Sequence, residues 1–216
     1  MTTSPQLGRF LVVLDVDSTL IENEVIELIA ARAGSEALVA EVTERAMRGE
    51  LDFAQSLRER VATLAGLPDS VFDDIRSQIV VTKGVPELIA AVHENGGKVA
   101  VVSGGFHELL DQLASQLGID HWRANRLEVE NGRLTGNVHG PIIDAQAKAH
   151  ALSEWAELEG FDLSHTVAIG DGANDLKMME IAGLSIAFCA KPVVAAQADI
   201  AIETRDMALV LPHLGL

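Results

Sequence analysis

A chain of 216 residues is long enough to bury a substantial core, as one domain or as one domain carrying a sizeable insertion. Its single cysteine, Cys189, excludes an intramolecular disulfide framework and fits a reducing, cytoplasmic setting. Thirty-two Asp plus Glu against sixteen Lys plus Arg give a formal charge of −16, which repels nucleic acid and any anionic small molecule, so an anionic substrate would need cations or a metal built into its site.

The opening residues, MTTSPQLGRF, lack the cationic segment and apolar run of a secretory leader, and no stretch approaches the roughly 18 apolar residues of a membrane span. Neither nucleic acid nor a membrane is an expected partner. With 48% hydrophobic but only 4% aromatic residues, the chain favours aliphatic strands and alanine-rich helices over a base-stacking surface.

In chain order, segment 9–16 (RFLVVLDV) is a nearly continuous aliphatic run, the pattern of a strand buried on both faces of a parallel sheet. From 22 to 83 the periodicity turns helical, with four short helices separated by Gly, Pro or Asp and no strand. Strand and helix then alternate: helix 86–95, strand 98–102, helix 107–117, two alternating runs within 125–139 about Asn131-Gly132, helix 145–159, strand 166–169, helix 175–182, strand 184–188 and a last strand near Ile200. This is the pattern of a doubly wound α/β sheet with a helical insertion after its first strand.

In such sheets ligands bind beyond the carboxyl ends of the strands, so the residues after each aliphatic run carry the chemistry. Asp15 and Asp17, two apart at a strand end, can point both carboxylates to one side. Asp171 and Asp175 arrive from another strand end, and an oxygen-rich set of this kind suits Mg²⁺. Any one of these aspartates alone would read as a cap or turn former. Ser103-Gly104-Gly105 offers a hydroxyl and open backbone amides for a phosphate at the start of a helix, although the turn itself also demands small residues. Lys148 is either a surface lysine or the cation that an acidic site needs. The seven histidines form no zinc spacing, Cys189 has no neighbouring base and reads as a buried thiol, and Met47, Met178, Met179 and Met207 read as packing residues.

Within the insertion, a helix of about 100° per residue that starts at Phe53 puts Leu57 at roughly 40°, Arg60 at roughly −20° and Leu64 at roughly 20°. Arg60 thus falls on the apolar stripe while Arg58 and Glu59 fall opposite. Its inward guanidinium needs an anionic partner, either a carboxylate of the insertion or the substrate.

DVDST at 15–19, Ser103, Lys148 and GDGANDLKM at 170–178 together resemble, in order and spacing, the four motifs of the haloacid dehalogenase superfamily. More narrowly, NEVIELIA, AMRGELDFAQSLRERVATLAGLP, VVSGGF, ANRLEVENGRLTG and GDGANDLKMMEIAGLSIAFCAKP are similar to its phosphoserine phosphatase branch, across nearly the whole chain. The resemblance implies a Rossmann-like core of residues 1–21 and 84–216, with a small cap, 22–83, that sets substrate specificity. It implies hydrolysis of O-phospho-L-serine to L-serine and phosphate, the last step of serine biosynthesis. Asp15 would be the nucleophile and Asp17 the general acid, then base. Mg²⁺ would be held by Asp15, the backbone carbonyl of Asp17, and Asp171. Ser103, Gly104, Lys148 and Asn174 would bind the phosphoryl oxygens, with Asp175 supporting Lys148 or metal-bound water. Glu24 would take the substrate ammonium and Arg60 its carboxylate, with Met47 and Phe53 closing over the ligand.

Ser18 stands where the wider superfamily often has glycine, and it suits the narrower branch. Some relatives carry amino-acid-sensing domains ahead of the catalytic part; about eight residues precede the first strand here, so feedback through such a domain is not expected. The expected partner is a small phosphorylated amino acid, and the oligomeric state stays open, a homodimer included. Two alternatives remain. One is a phosphotransferase that passes the phosphoryl group to homoserine or another small alcohol. The other, more distant, is a receiver-like phospho-acceptor, which would need neither the insertion nor a second carboxylate beside the first.

Overall fold

The computed structural model describes residues 9–216 apart from Gly49, and the side chain of Met47 also lies outside the described set. Among the described residues seven strands form one sheet: β1 (Leu11–Leu14), β2 (Lys98–Phe106), β3 (His121–Glu130), β4 (Arg133–His139), β5 (Thr166–Gly170), β6 (Leu184–Phe188) and β7 (Ile200–Ile202), in the order β4-β3-β2-β1-β5-β6-β7. Every pairing is parallel except β3 with β4. β1 lies between β2 and β5, with Leu14 opposite Val101 on one side and Ile169 on the other.

That central position explains why LVVL has no polar residue, since side chains alternate between two cores. Val12 and Leu14 join the core formed with α5 (Val85–Glu94) and α6 (His107–Leu117). Leu11 and Val13 join a second core with Trp155 of α7 (Ala145–Glu159) and Met178 of α8 (Leu176–Ile181). Helices on both faces make the sheet doubly wound, as expected. From β1 the chain builds outward through β2, β3 and β4 on one side and then crosses back to β5 on the other, so the crevice beyond the ends of β1 and β5 is the topological switch point.

Between β1 and β2 come α1 (Val25–Ala33), α2 (Glu36–Met47), α3 (Phe53–Ala62) and α4 (Val71–Arg76). Asp52 opens α3 with a capping box, accepting from the Gln55 amide while the Gln55 side chain accepts from its own. The two ends of this segment meet in a short antiparallel pair, Ile21 with Val81, flanked by Glu22 N–H to Val80 O and Thr82 N–H to Leu20 O. A second attachment comes from the β3–β4 hairpin. Gly66 N–H donates to Leu134 O, Leu134 N–H to Leu67 O and Asp69 N–H to Gly132 O, while Arg133 reaches the Gly66 carbonyl at 2.7 Å. The hairpin turn has positive φ at Asn131 and Gly132, which fits a right-twisted ribbon.

The structure amends several sequence expectations. β3 begins at His121 and plays two parts, pairing with β2 in parallel through Asn125 and with β4 in antiparallel beyond it. β2 runs past Val102 through Ser103-Gly104-Gly105 to Phe106, with a register shift against β3, so these residues form an irregular strand end rather than the start of the helix. Cys189 is half-buried rather than buried, since it stands one residue beyond β6, where the chain turns at φ 46°. Met178, Met179 and Met207 are core residues, as expected. No helix among the described residues is long and apolar enough to cross a membrane.

Candidate active site

The floor of the site is built where β1, β2 and β5 end. Asp15 continues the β1–β5 ladder through its N–H to Ile169 O, and the chain then turns tightly, with Leu20 N–H to Asp15 O and Ile21 N–H to Val16 O. Ser18 lies inside this turn at φ 58°, a left-handed conformation that places about 1–2 kcal/mol of strain on a residue with a β-carbon. The glycine often found there in the wider superfamily therefore has a conformational reason.

Lys148, completely buried in the first turns of α7, lies 2.6 Å from Asp15 Oδ1 and 2.7 Å from Asp175 Oδ1. The surface-lysine alternative is thereby excluded. Asp175 Oδ2 accepts from the Gly172 amide at 3.1 Å. Its carboxylate lies so close against Gly170 that a β-carbon at that position would collide with it. Asp15 Oδ1 also accepts from Val16 N–H at 2.7 Å, and Asp15 lines the cleft above it.

Charge is not balanced here. Carboxylate oxygens of Asp15, Asp171 and Asp175 lie within 4.8 Å of one another, and Lys148 pairs with Asp15 and Asp175 but not with Asp171. Burial, then the nearby Asp175, pushes Asp15 up to about 7 although Lys148 opposes the shift. Burial and the charge of Asp175 likewise push Asp171 up to about 6. Asp17 is driven well above the usual carboxylate range by burial, Glu24 and Asp15, and its Oδ1 is buried without a hydrogen-bond partner. Burial acts against the Lys148 cation, but Asp15 and Asp175 outweigh it and raise its pKa. A site that forces aspartates toward protonation near neutrality, around hard oxygen donors, fits a divalent cation.

Above this floor opens a cleft of about 660 Å³, lined by Asp15, Asp17, Gly104, Asp171 and Asn174 from the strand ends and by Glu24, Phe53 and Arg60 from the helical segment. The Phe53 ring stands over Gly104, where a β-carbon would come to 3.0 Å from it. Ser103 is buried behind this surface, its Oγ accepting from the Gly105 amide at 2.7 Å and keeping its own proton to donate. Met47, at the end of α2, has its side chain outside the described residues. The cleft also contains Lys191, which the sequence reading passed over. Its backbone N–H donates to Asp171 O at 3.1 Å. The signal was present, because Lys191 follows the end of β6, a fourth strand end.

The haloacid dehalogenase-like hydrolase family model matches residues 12–180, spanning these motifs. The chain belongs to the haloacid dehalogenase-like hydrolases. Among its relatives, this hydrolase is 54% identical over 204 residues to a phosphoserine phosphatase of Streptococcus thermophilus, covering 94% of this chain and 95% of that one. It is 51% identical over 204 residues to a phosphoserine phosphatase of Lactococcus lactis, covering 94% of each. A solved structure described as a phospho-aspartyl intermediate analogue of phosphoserine phosphatase matches it at a TM-score of 0.89 and 45% identity, covering 95% of this chain and 99% of the other.

Proposed function

We propose that this chain hydrolyses O-phospho-L-serine to L-serine and phosphate through a phosphoryl group carried on Asp15, in a Mg²⁺-dependent reaction. The observation that carries the proposal is a single cleft lined both by a strand-end carboxylate that is paired with a buried lysine and by a carboxylate, Glu24, and a guanidinium, Arg60, from the segment between β1 and β2. The likeness to phosphoserine phosphatases supports the same substrate.

In the first step Asp15 Oδ2 attacks phosphorus, the bond from phosphorus to the serine oxygen breaks, and Asp17 gives its proton to that oxygen. The raised pKa of Asp17 favours the protonated form this step needs. In the second step Asp17 takes a proton from water as the water oxygen attacks phosphorus, and Asp15 leaves as a carboxylate with phosphate released. Lys148 neutralises Asp15, with Ser103, Gly104 and Asn174 holding the phosphoryl oxygens. Asp175 anchors Lys148. Mg²⁺, held by Asp15, the Asp17 carbonyl and Asp171, would supply charge stabilisation to the phosphoryl oxygens. Glu24 takes the ammonium and Arg60 the carboxylate, under Phe53 and Met47. Residues 22–83 act as the cap and 1–21 with 84–216 as the catalytic core. The lone thiol suits a cytoplasmic enzyme that completes serine biosynthesis.

The test is phosphate release from phosphoserine, phosphothreonine, phosphosugars and pyrophosphate, with Mg²⁺ or with a chelator. Phosphoserine should be preferred and chelation should abolish turnover. Substantial turnover in chelator would remove the metal from the proposal, and equal rates across the panel would remove the substrate. Added homoserine should leave phosphate release stoichiometric with serine; formation of phosphohomoserine instead would identify a transferase.

A further inference from the structure

We propose that the Ser18 hydroxyl is a positioning group that fixes the Glu24 carboxylate at the amino-acid end of the cleft, and thereby sets the preference for phosphomonoesters bearing an ammonium group. The inference rests on the assignment of Glu24 to that ammonium.

Three observations lead to it. Ser18 occupies a left-handed backbone position, φ 58°, that glycine would take without strain, so its side chain needs a compensating role. The turn is secured through its backbone: Ser18 N–H donates to Asn23 O at 3.2 Å, and Arg205 donates to Ser18 O at 2.8 Å. The hydroxyl is therefore not needed to hold the turn. It donates instead to Glu24 Oε1 at 2.6 Å, the short distance of a charge-assisted bond.

Glu24 has need of such a tether. It stands exposed at the residue before α1, and its side chain makes no cap bond to that helix. A glutamate has three rotatable side-chain bonds, and leaving it free spreads its charge over many rotamers. With Oε1 bonded to Ser18, Oε2 is left for a ligand. The same bond joins the turn that carries Asp17 to the helical segment, so the ammonium end is set at a fixed offset from the phosphoryl end.

The experiment compares kcat/KM for O-phospho-L-serine with that for its des-amino analogue, 3-phosphooxypropanoate, in the wild type, Ser18→Gly, Ser18→Ala and Glu24→Gln. Both Ser18 variants should reduce the preference for phosphoserine about three- to tenfold, the range expected for one hydrogen bond, mainly through a higher KM for phosphoserine. Ser18→Gly should melt no lower than wild type, because it relieves the left-handed strain. An unchanged preference in both Ser18 variants, alongside a collapsed preference in Glu24→Gln, overturns the role of the hydroxyl while leaving the assignment of Glu24 standing. An unchanged preference in Glu24→Gln overturns that assignment and this inference with it.

Discussion

Arg60 shares the inner face of α3 with Leu57, which is buried, yet among the described residues no carboxylate comes within ion-pair distance of it. Its Nε donates only to the Ser56 carbonyl of its own helix, at 3.2 Å. Burial lowers its pKa while Glu24, Asp17 and Glu27 oppose the shift from a distance. A fork of donors facing a cleft without a partner is a seat for a planar anion. Arg60→Ala should therefore raise KM for phosphoserine by about 10²-fold, the scale of one bidentate charge-assisted pair. The melting temperature should stay nearly unchanged and the preference over phosphoethanolamine should shrink. A large fall in melting temperature with that preference intact would make Arg60 a structural residue. Arg60 was legible from helical periodicity, and the strand-end aspartates from their position after aliphatic runs. The Ser18–Glu24 bond was not, because it depends on a left-handed turn that folds residue 18 back on residue 24.

At the scale of elements, β4 sets the position of α3. Gly136 has φ 86°, and a β-carbon there would lie 3.0 Å from Ala65 Cβ and 3.3 Å from the Ala62 backbone, at the end of α3. Gly136→Ala combines backbone strain with overpacking and should lower stability by about 1–3 kcal/mol. Because α3 carries Phe53 and Arg60, the KM for phosphoserine should also rise, although Gly136 does not line the cleft. Melting curves and steady-state kinetics on the one variant check both effects, and wild-type values would show that the hairpin does not hold α3. This coupling was outside the reach of pattern analysis. The helices His107–Leu117 and Ala145–Glu159 and the strand Leu184–Phe188 match the expected bounds because each has its own periodicity and flanking punctuation. The first half of β3, HWRAN, has no such pattern, since its parallel bonds to β2 come from the backbone alone. The strap from residues 66–69 to the hairpin is likewise made by main-chain groups about as far apart in sequence as 66 and 134, with the Arg133 side chain adding one bond to the Gly66 carbonyl.

For the whole molecule, the charge of −16 makes the arrangement of cations decisive. Lys148 lies under the floor, Arg60 projects from the helical segment, and Lys191 follows β6, so an anion meets positive charge from three separate parts of the chain. A ligand with both phosphate and amino-acid groups would span the sheet and the helices, whereas inorganic phosphate would reach only the strand ends. On the proposed mechanism Asp15→Asn removes the nucleophile, so phosphoserine should be held without turnover. With both ligands at equal saturation, for example 100 times their own Kd, each should stabilise the fold by about 2.7 kcal/mol through mass action. Their amide exchange patterns should nevertheless differ. Phosphoserine should slow exchange at the start of α1, in α3 and at the strand-end segments 15–20, 103–106 and 171–175, while phosphate should slow those segments alone. Identical patterns would mean that the helices do not touch the amino-acid end of the substrate, and Glu24 and Arg60 would have to be reassigned.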